Sequence, residues 1–318
     1  MKTSKIMFYA AVLSLCLACA AAQASPTKAP ERIPVVMVGD RLVDVAAALG
    51  VLPEGMAVRA SMWPAAQSYK YAAQLLGCPN YVTRKHPEAV AAFMKQRGIR
   101  RLILEKSEKF CLYMPKVNPA GVAELVRDVP GVTVEYVDFT QGVPQAVIQA
   151  AKLLGREAQG KAVAEAYEKA MQAVEKGLPA QGLGRRVLVL NGMYASASGK
   201  VFVRLEAPGG YTDQYILAPL GCVNAASALM TDTMQVSKGH VSLSRLKGLA
   251  KAAPDVIALT GDPYAVQRAL HEAIKDDPAL ADMPAIRNGE VYVLPFYGDS
   301  DVLEYPQIFR QWQQALTR

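Results

Sequence analysis

Short runs of β-branched and aliphatic residues alternate along the chain with stretches whose apolar positions recur every three or four residues. Ile33 to Val38 is the first such run, closed by Gly39-Asp40, and Leu42 to Leu49 follows as a helix stopped at Gly50. Ala57 to Ala60 is a short second strand candidate. Pro87 to Gln96 has helical spacing, with proline at its start and Gly98 just past its end, the asymmetry expected of a helix. Arg100 to Leu104 reads as a strand, Pro119 to Asp128 as a helix and, after a turn at Gly131, Val132 to Val137 as a strand. Strands alternating with helices through short turns predict a parallel α/β sheet.

The rhythm breaks between Pro144 and Lys176, which is helical almost throughout and punctuated at Leu154-Gly155. Val163, Tyr167, Ala170 and Val174 fall on one face of its second half, and Gly177 and Pro179 end it. From Gly160 to Lys176 such a helix is about 25 Å long at 1.5 Å per residue. It either crosses between two lobes or packs as an ordinary long helix on one sheet. Strand and helix then alternate again. Arg186 to Leu190 opens into Asn191-Gly192, Val201 to Arg204 is a short β run, and Tyr215 to Leu229 is mainly helical with interruptions at Pro219 and Gly221. Leu243 to Ala252 reads as a helix, Asp255 to Thr260 as a strand, Pro263 to Lys275 as a helix, Glu290 to Leu294 as a strand and Ile308 to Leu316 as a terminal helix. The organisation inferred is a leader over 1–24, an α/β lobe over 25–142, a helical segment over 143–177 and a second α/β lobe over 178–318.

The leader rests on chemistry at the N-terminus. Lys2 and Lys5 precede an uncharged apolar run from Ile6 to Ala22, and Ala22-Gln23-Ala24 has the small-x-small pattern of a signal-peptidase site. A membrane anchor is the rival, but the run falls short of the ~20 residues that span a bilayer. Lipidation at Cys19 or Cys16 is the other alternative; Cys16 stands where a lipobox usually has Leu, so a soluble periplasmic product cut near Ala24 is preferred. Loss of Lys2 and Lys5 lowers the formal charge from +7 to +5, since 33 basic residues then face 28 acidic ones. The excess is spread without a basic run, so nucleic acid is not indicated. Cys78, Cys111 and Cys222 remain; Cys222 reads as a buried thiol, and Cys78 and Cys111 share a lobe in a compartment that permits a bridge between them.

Catalytic signatures are missing. There is no G-x-S-x-G, since Ser196 and Ser198 before Gly199 do not fit it, and Gly182-Leu183-Gly184 lacks the third glycine and the following helix of a dinucleotide fingerprint. Asp299 and Asp301 form an acidic pair without calcium-loop spacing. His86, His240 and His271 are widely separated, unlike the convergent ligands of a bare zinc or manganese receptor. An exported α/β enzyme and a free transition-metal receptor are therefore the alternatives, not the first reading.

Four stretches carry a resemblance. They are Leu153-Leu154-Gly155 with the helix to Lys176 and Arg186-Val187-Leu188-Val189-Leu190; Pro219-Leu220-Gly221-Cys222-Val223-Asn224-Ala225-Ala226; Val241-Ser242-Leu243-Ser244-Arg245-Leu246 followed by Ala253-Pro254-Asp255-Val256-Ile257; and Met283-Pro284-Ala285-Ile286-Arg287-Asn288-Gly289-Glu290-Val291-Tyr292. In order and spacing they resemble the helical-backbone class of periplasmic substrate-binding proteins, which serve ABC importers of iron-siderophores, haem, cobalamin and related metal chelates. Cys222 stands at the second glycine of the family's Gly-Gly-x-Asn segment and Ser244 where the family often has Glu. Tyr215 to Leu220 holds no acid to dock on a permease, so the docking residues stay unassigned.

The resemblance implies a class III periplasmic-binding-protein fold: α/β, two lobes, each a small, mostly parallel sheet flanked by helices, joined by one long connecting helix. It implies a monomer without a resident cofactor that captures a small-molecule metal chelate between its lobes and delivers it to an inner-membrane ABC permease. Ligand contacts are expected from loops at the carboxyl ends of strands, and those positions are rich in aromatic and polar residues: Trp63, Lys106, Tyr113, Tyr194, Tyr264 and Tyr297, with His240 beside them. Each also has an ordinary reading. The tyrosines would serve as caps on the core, Lys106 as a salt-bridge partner of Glu105 or Glu108, and His240 as a surface or satisfied histidine.

Overall fold

A computed structural model describes residues 29–318 except Ser196, Ser244, Arg245 and Lys247. The leader, its cut near Ala24, and the lipidation alternatives Cys16 and Cys19 lie outside the described residues, as does Ser244. The first sheet contains β1 (Glu31–Val38), β2 (Val51–Ala57), β3 (Gln74–Gly77), β4 (Arg101–Lys106) and β5 (Thr133–Asp138) in the order β3-β2-β1-β4-β5. All of its pairings are parallel. Its helices are α1 (Asp40–Ala48), α2 (Ala65–Tyr69), α3 (Ala89–Arg97), α4 (Val122–Leu125) and α5 (Val143–Leu154). Strand periodicity sends Val35 and Met37 of β1 toward α1 and α5, and Val36 and Val38 toward α3 and α4, so both faces of the sheet are covered.

α6 (Glu157–Lys176) spans about 30 Å at 1.5 Å per residue and joins the lobes. Val163 and Ala164 pack into the first core, and Val174 into the core of the second lobe. The apolar stripe read from the sequence is therefore shared between lobes, which excludes a helix packed on one sheet.

The second sheet contains β6 (Arg186–Ala195), β7 (Lys200–Glu206), β8 (Val223–Asn224), β9 (His240–Ser242), β10 (Val256–Gly261) and β11 (Val291–Val293). Its path is β11-β10-β6-β7-β9, with β8 beside the start of β6. β6, β8, β10 and β11 run parallel, whereas β7 is antiparallel to both of its neighbours, β6 and β9. α7 (Pro263–Asp276) and α8 (Pro284–Arg287) cover one face, and α9 (Tyr305–Leu316) the other, where Trp312 is fully buried and its indole N–H donates to Pro295 O at 2.8 Å.

Local departures from the sequence pattern have physical causes. The second strand is Val51–Ala57 rather than Ala57 to Ala60. Pro53, which lacks an N–H, and Gly55 disguise it, and a register shift between Ile33 and Val36 accommodates Pro34 and Pro53. The helix expected over Pro119 to Asp128 shrinks to a 3-10 turn and the four-residue α4. Tyr215 to Leu229 becomes a π turn, β8 and a 3-10 turn, and of Leu243 to Ala252 the described residues keep a 3-10 turn at Leu249–Ala252.

Candidate functional site

The strand order of the first sheet reverses between β1 and β4, and open α/β sheets form their crevices at the carboxyl ends of strands at such a switch point. Here β1 runs out through Gly39 into Asp40 and Arg41, and β4 into Glu105. Gly39 has φ +130°, and a Cβ on it would overlap Glu105, so glycine is what allows the two strand ends to close on that carboxyl. Arg41 Nη1 donates to Glu105 Oε1 at 3.0 Å, and the Arg41 amide donates to Oε2 at 3.2 Å. Arg59 follows β2, and its Nε and amide donate to Asp40 at 2.7 and 2.8 Å. All four side chains are buried. Burial raises the Glu105 carboxyl to about 7 despite Arg41 beside it. For Arg41 burial works against the charge, but Glu105 and Asp299 outweigh it and hold the guanidinium above its ordinary value.

The second lobe closes on these arginines from two loops. After β7, Glu206 accepts from the Thr212 amide at 3.0 Å and the Thr212 hydroxyl at 2.6 Å, which fixes the turn carrying Tyr211. Arg59 Nη1 donates to Tyr211 Oη at 2.7 Å, and the guanidinium stacks 4.6 Å above the Phe110 ring. After β11, the Asp299 carboxylate bonds to Arg41, while the Asp299 carbonyl and Ser300 Oγ each accept from Arg59 Nη2 at 3.0 Å. Ser300 Oγ donates onward to Asp40 at 2.6 Å.

A second inter-lobe contact is steric. Tyr113, from the loop after β4, lies edge-on to Tyr211 at 5.1 Å between centroids, and its hydroxyl accepts from the Tyr211 amide at 3.4 Å. Gly239 forms the floor beneath it: φ is +75°, and a Cβ there would overlap the Tyr113 ring and hydroxyl. Gly239→Ala should therefore destabilise the protein by about 1–3 kcal/mol through strain and overlap. Tyr113→Ala should relieve part of that loss when combined with it. Urea unfolding of the two single variants and the double variant checks this, and strict additivity would place Tyr113 outside the Gly239 socket.

Beside the charged cluster a cavity of about 390 Å³ opens between the lobes. Tyr215, Tyr297, Tyr305 and Phe139 give its aromatic wall, Tyr167 of α6 closes one side, and Arg41, Lys109, Glu108 and Asp299 give its charge. Tyr215 meets Tyr297 and Tyr305 edge-on at 5.1 and 6.1 Å. Burial raises the Tyr167 and Tyr305 hydroxyls to about 12, and those of Tyr215 and Tyr297 rise as well, so all four act as neutral donors. Two other hollows, about 420 Å³ between α5 and α6 and about 610 Å³ beside the β6–β7 hairpin, contain no comparable convergence of buried charge.

A family model described as "Periplasmic binding protein" matches residues 122–297, more than half of the chain. The chain belongs to the periplasmic binding protein family. Members bind small molecules and deliver them to ABC permeases. Among solved structures the binding protein is similar to the periplasmic haem-binding protein RhuT of Roseiflexus sp. RS-1, at 17% identity over 90% of this chain and 98% of that one, with a TM-score of 0.54. It is similar to the periplasmic haem-binding protein HutB of Vibrio cholerae, at 18% identity over 90% and 99%, TM-score 0.51. It is also similar to the iron-uptake system-binding protein FeuA of Bacillus subtilis, at 14% identity over 89% and 94%, TM-score 0.56. No curated protein sequence matches the chain.

Of the residues singled out in the sequence, the binding protein brings Tyr113 and Tyr297 to the seam between its lobes. His240 is 8% exposed; its Nδ1 lies 2.9 Å from Lys238 O, its Nε2 is buried without a partner, and its ring lies 6.3 Å from Phe296. Trp63 is in the core of the first lobe, edge-on to Tyr69. Lys106 points away from the crevice and pairs with Asp138 at 2.8 Å, while its neighbour Glu105 turns inward. Tyr194 and Tyr264, 55% and 66% exposed, line neither the cavity nor the charged cluster. Cys78 and Cys111 are both free thiols, Cys111 packed with Phe110 and Val117. Arg41, Arg59, Asp40, Glu105, Tyr211, Tyr215 and Asp299 gather at the same seam and complete the candidate site that the aromatic reading passed over. The signal for the first four was present: each is at or just beyond the end of β1, β2 or β4.

Proposed function

We propose that this chain is an extracytoplasmic solute-binding protein of an ABC importer, exported by its leader, that captures a metal chelate between its lobes and hands it to an inner-membrane permease. The observation that carries the reading is the inter-lobe cavity. It sits at the switch point of one sheet and combines four neutral tyrosines with the Arg41 guanidinium, which is held by Glu105 and Asp299. Flat aromatic walls suit a large planar or macrocyclic chelate, and phenol hydroxyls can donate to chelator oxygens. The likeness to haem-binding and iron-uptake proteins supports the same class of cargo, with iron-siderophore, haem and cobalamin types as the candidates.

Native mass spectrometry of the protein from its source periplasm should find one chelate per chain. Tyr215→Ala and Tyr305→Ala should each weaken that chelate about tenfold, the scale of a lost aromatic contact with its area. Absorbance titration measures it, and unchanged affinity in both variants would move the ligand out of the cavity.

A further inference from the structure

Asp299 occupies an unusual place. It follows Gly298 in the loop between β11 and α9 and has φ +56°, a left-handed conformation that few non-glycine residues adopt and that aspartate enters more readily than most. That backbone turns its carbonyl and one carboxylate oxygen toward the opposite lobe, while the other carboxylate oxygen accepts from Tyr297 Oη at 3.4 Å. The carboxylate meets Arg41 Nη2, and the carbonyl accepts from Arg41 Nε at 3.3 Å and Arg59 Nη2 at 3.0 Å. Within the first lobe each arginine already has its own acid, Glu105 for Arg41 and Asp40 for Arg59. Asp299 is a third carboxylate on two guanidinium groups, and it belongs to the other lobe.

Its position at the cavity decides what this does. Arg41, Lys109, Glu108 and Asp299 are the charged side chains lining the cavity, two of each sign. If the Asp299 side chain moves off Arg41, the wall keeps two cations against Glu108, and Arg41 Nη2, which also donates to Lys109 O at 3.1 Å, has an N–H open to an oxyanion.

We propose that Asp299 is a displaceable counter-anion that sets the charge class of the ligand: an anionic oxygen of the chelate, whether carboxylate or catecholate, exchanges with its carboxylate at Arg41. This rests on the chelate-binding reading of the cavity. A ligand without such a group would meet a balanced wall and gain nothing from the exchange.

The test compares Asp299→Asn with the unaltered protein. Asparagine tolerates the left-handed backbone and keeps the side chain's size, so the variant removes charge and little else. Asp299→Ser, which also removes the carboxylate, serves as the second variant. The probes are ferric protoporphyrin IX, with two carboxylates, a ferric tricatecholate, and cyanocobalamin, which carries no net charge. Both variants should bind whichever anionic probe the protein accepts about tenfold more tightly, the scale of removing one like charge from a partly desolvated site. Cyanocobalamin binding should stay within about twofold. An equal shift for anionic and neutral probes, a loss of affinity for the anionic one, or binding of cyanocobalamin alone would overturn the exchange and leave the chelate-binding reading standing. Failure of all three probes with every form would overturn that reading and this inference with it.

Discussion

Replacement of Arg59 by methionine should lower the stability of the protein by about 3–5 kcal/mol, the usual cost of removing one partner from a buried ion pair. Arg59 is buried and each of its three guanidinium nitrogens donates: Nε to Asp40, Nη1 to Tyr211 Oη, and Nη2 to the carbonyl and hydroxyl of the Asp299-Ser300 turn. Methionine fills similar space above Phe110 but leaves Asp40, itself fully buried, with Ser300 as its remaining side-chain partner. The loss should come mostly from that stranded carboxylate. Asp40→Asn added to Arg59→Met should accordingly recover a large part of it, because a neutral amide is far cheaper to bury than an unpaired charge. Arg59→Lys should fall between, since an ammonium can meet Asp40 but cannot also reach Tyr211 and Ser300 with a planar fork. Urea unfolding followed by circular dichroism measures all three. A loss under about 1 kcal/mol for Arg59→Met would mean that the pair is as weak as a solvent-exposed one.

The same residue shows how far the chain could be read in advance. The alternation of strands and helices was legible, because both periodicities are written locally in the apolar positions. The connecting helix was legible as a helix, and its stripe of Val163, Tyr167 and Val174 already held the contacts with both lobes; which lobe each residue met was not, because that depends on how two cores are placed. β2 escaped notice because Pro53 and Gly55 are poor strand residues by propensity, yet a strand flanked on both sides tolerates them when a register shift absorbs the missing N–H.

For the candidate site, strand ends supply many of the residues that gather at the seam between the lobes, and acidic and basic side chains stand there beside the aromatic ones. Tyr194 was misplaced by one element: Asn191-Gly192 reads as the end of a strand, but β6 continues through both into a hairpin with β7, which carries Tyr194 outward. Lys106 and Glu105 show the sensitivity of a period of two, since neighbouring residues at one strand end face opposite ways. The inter-lobe partners lay beyond any local pattern. Arg41 and Asp299 are separated by 258 residues, and nothing near either of them in sequence names the other.

The pH dependence of stability should run against the usual trend, falling between about pH 4 and pH 8 rather than holding flat. Three buried carboxyls and one half-buried one are pushed up, in every case chiefly by desolvation: Asp44 to about 8, Glu105 and Glu206 to about 7, and the half-buried Asp301 to about 6. For each the folded state holds a proton that the unfolded chain, with carboxyls near their ordinary values of about 4, has already released. The stabilisation is complete below the unfolded value of about 4 and is lost progressively until pH passes the folded ones, which sets the window at about 4 to 8. His240 works in the opposite sense. Burial, and then the charge of Arg204, lowers it to about 4, so below about pH 6.5 the unfolded chain takes a proton that the folded state refuses. Four carboxyls outweigh one histidine, so stability should peak near about pH 4 and be lower at pH 8.5 than at pH 5.5 by at least about 2 kcal/mol, the equivalent of one and a half pKa units on one group. Thermal and urea midpoints at pH 5.5 and 8.5 measure it. Asp44→Asn should flatten the upper part of the profile, because an amide cannot ionise there. Asp44 also accepts from the Leu303 amide at 3.2 Å, and Glu105 lies beneath the Arg41–Asp299 contact, so ionisation on the alkaline side loads charge into the seam between the lobes. The lobes should then separate before either core unfolds, visible as a rise in the radius of gyration by small-angle scattering at pH 8.5 with circular dichroism unchanged. A stability that rises from pH 5.5 to pH 8.5 would contradict the burial of these acids.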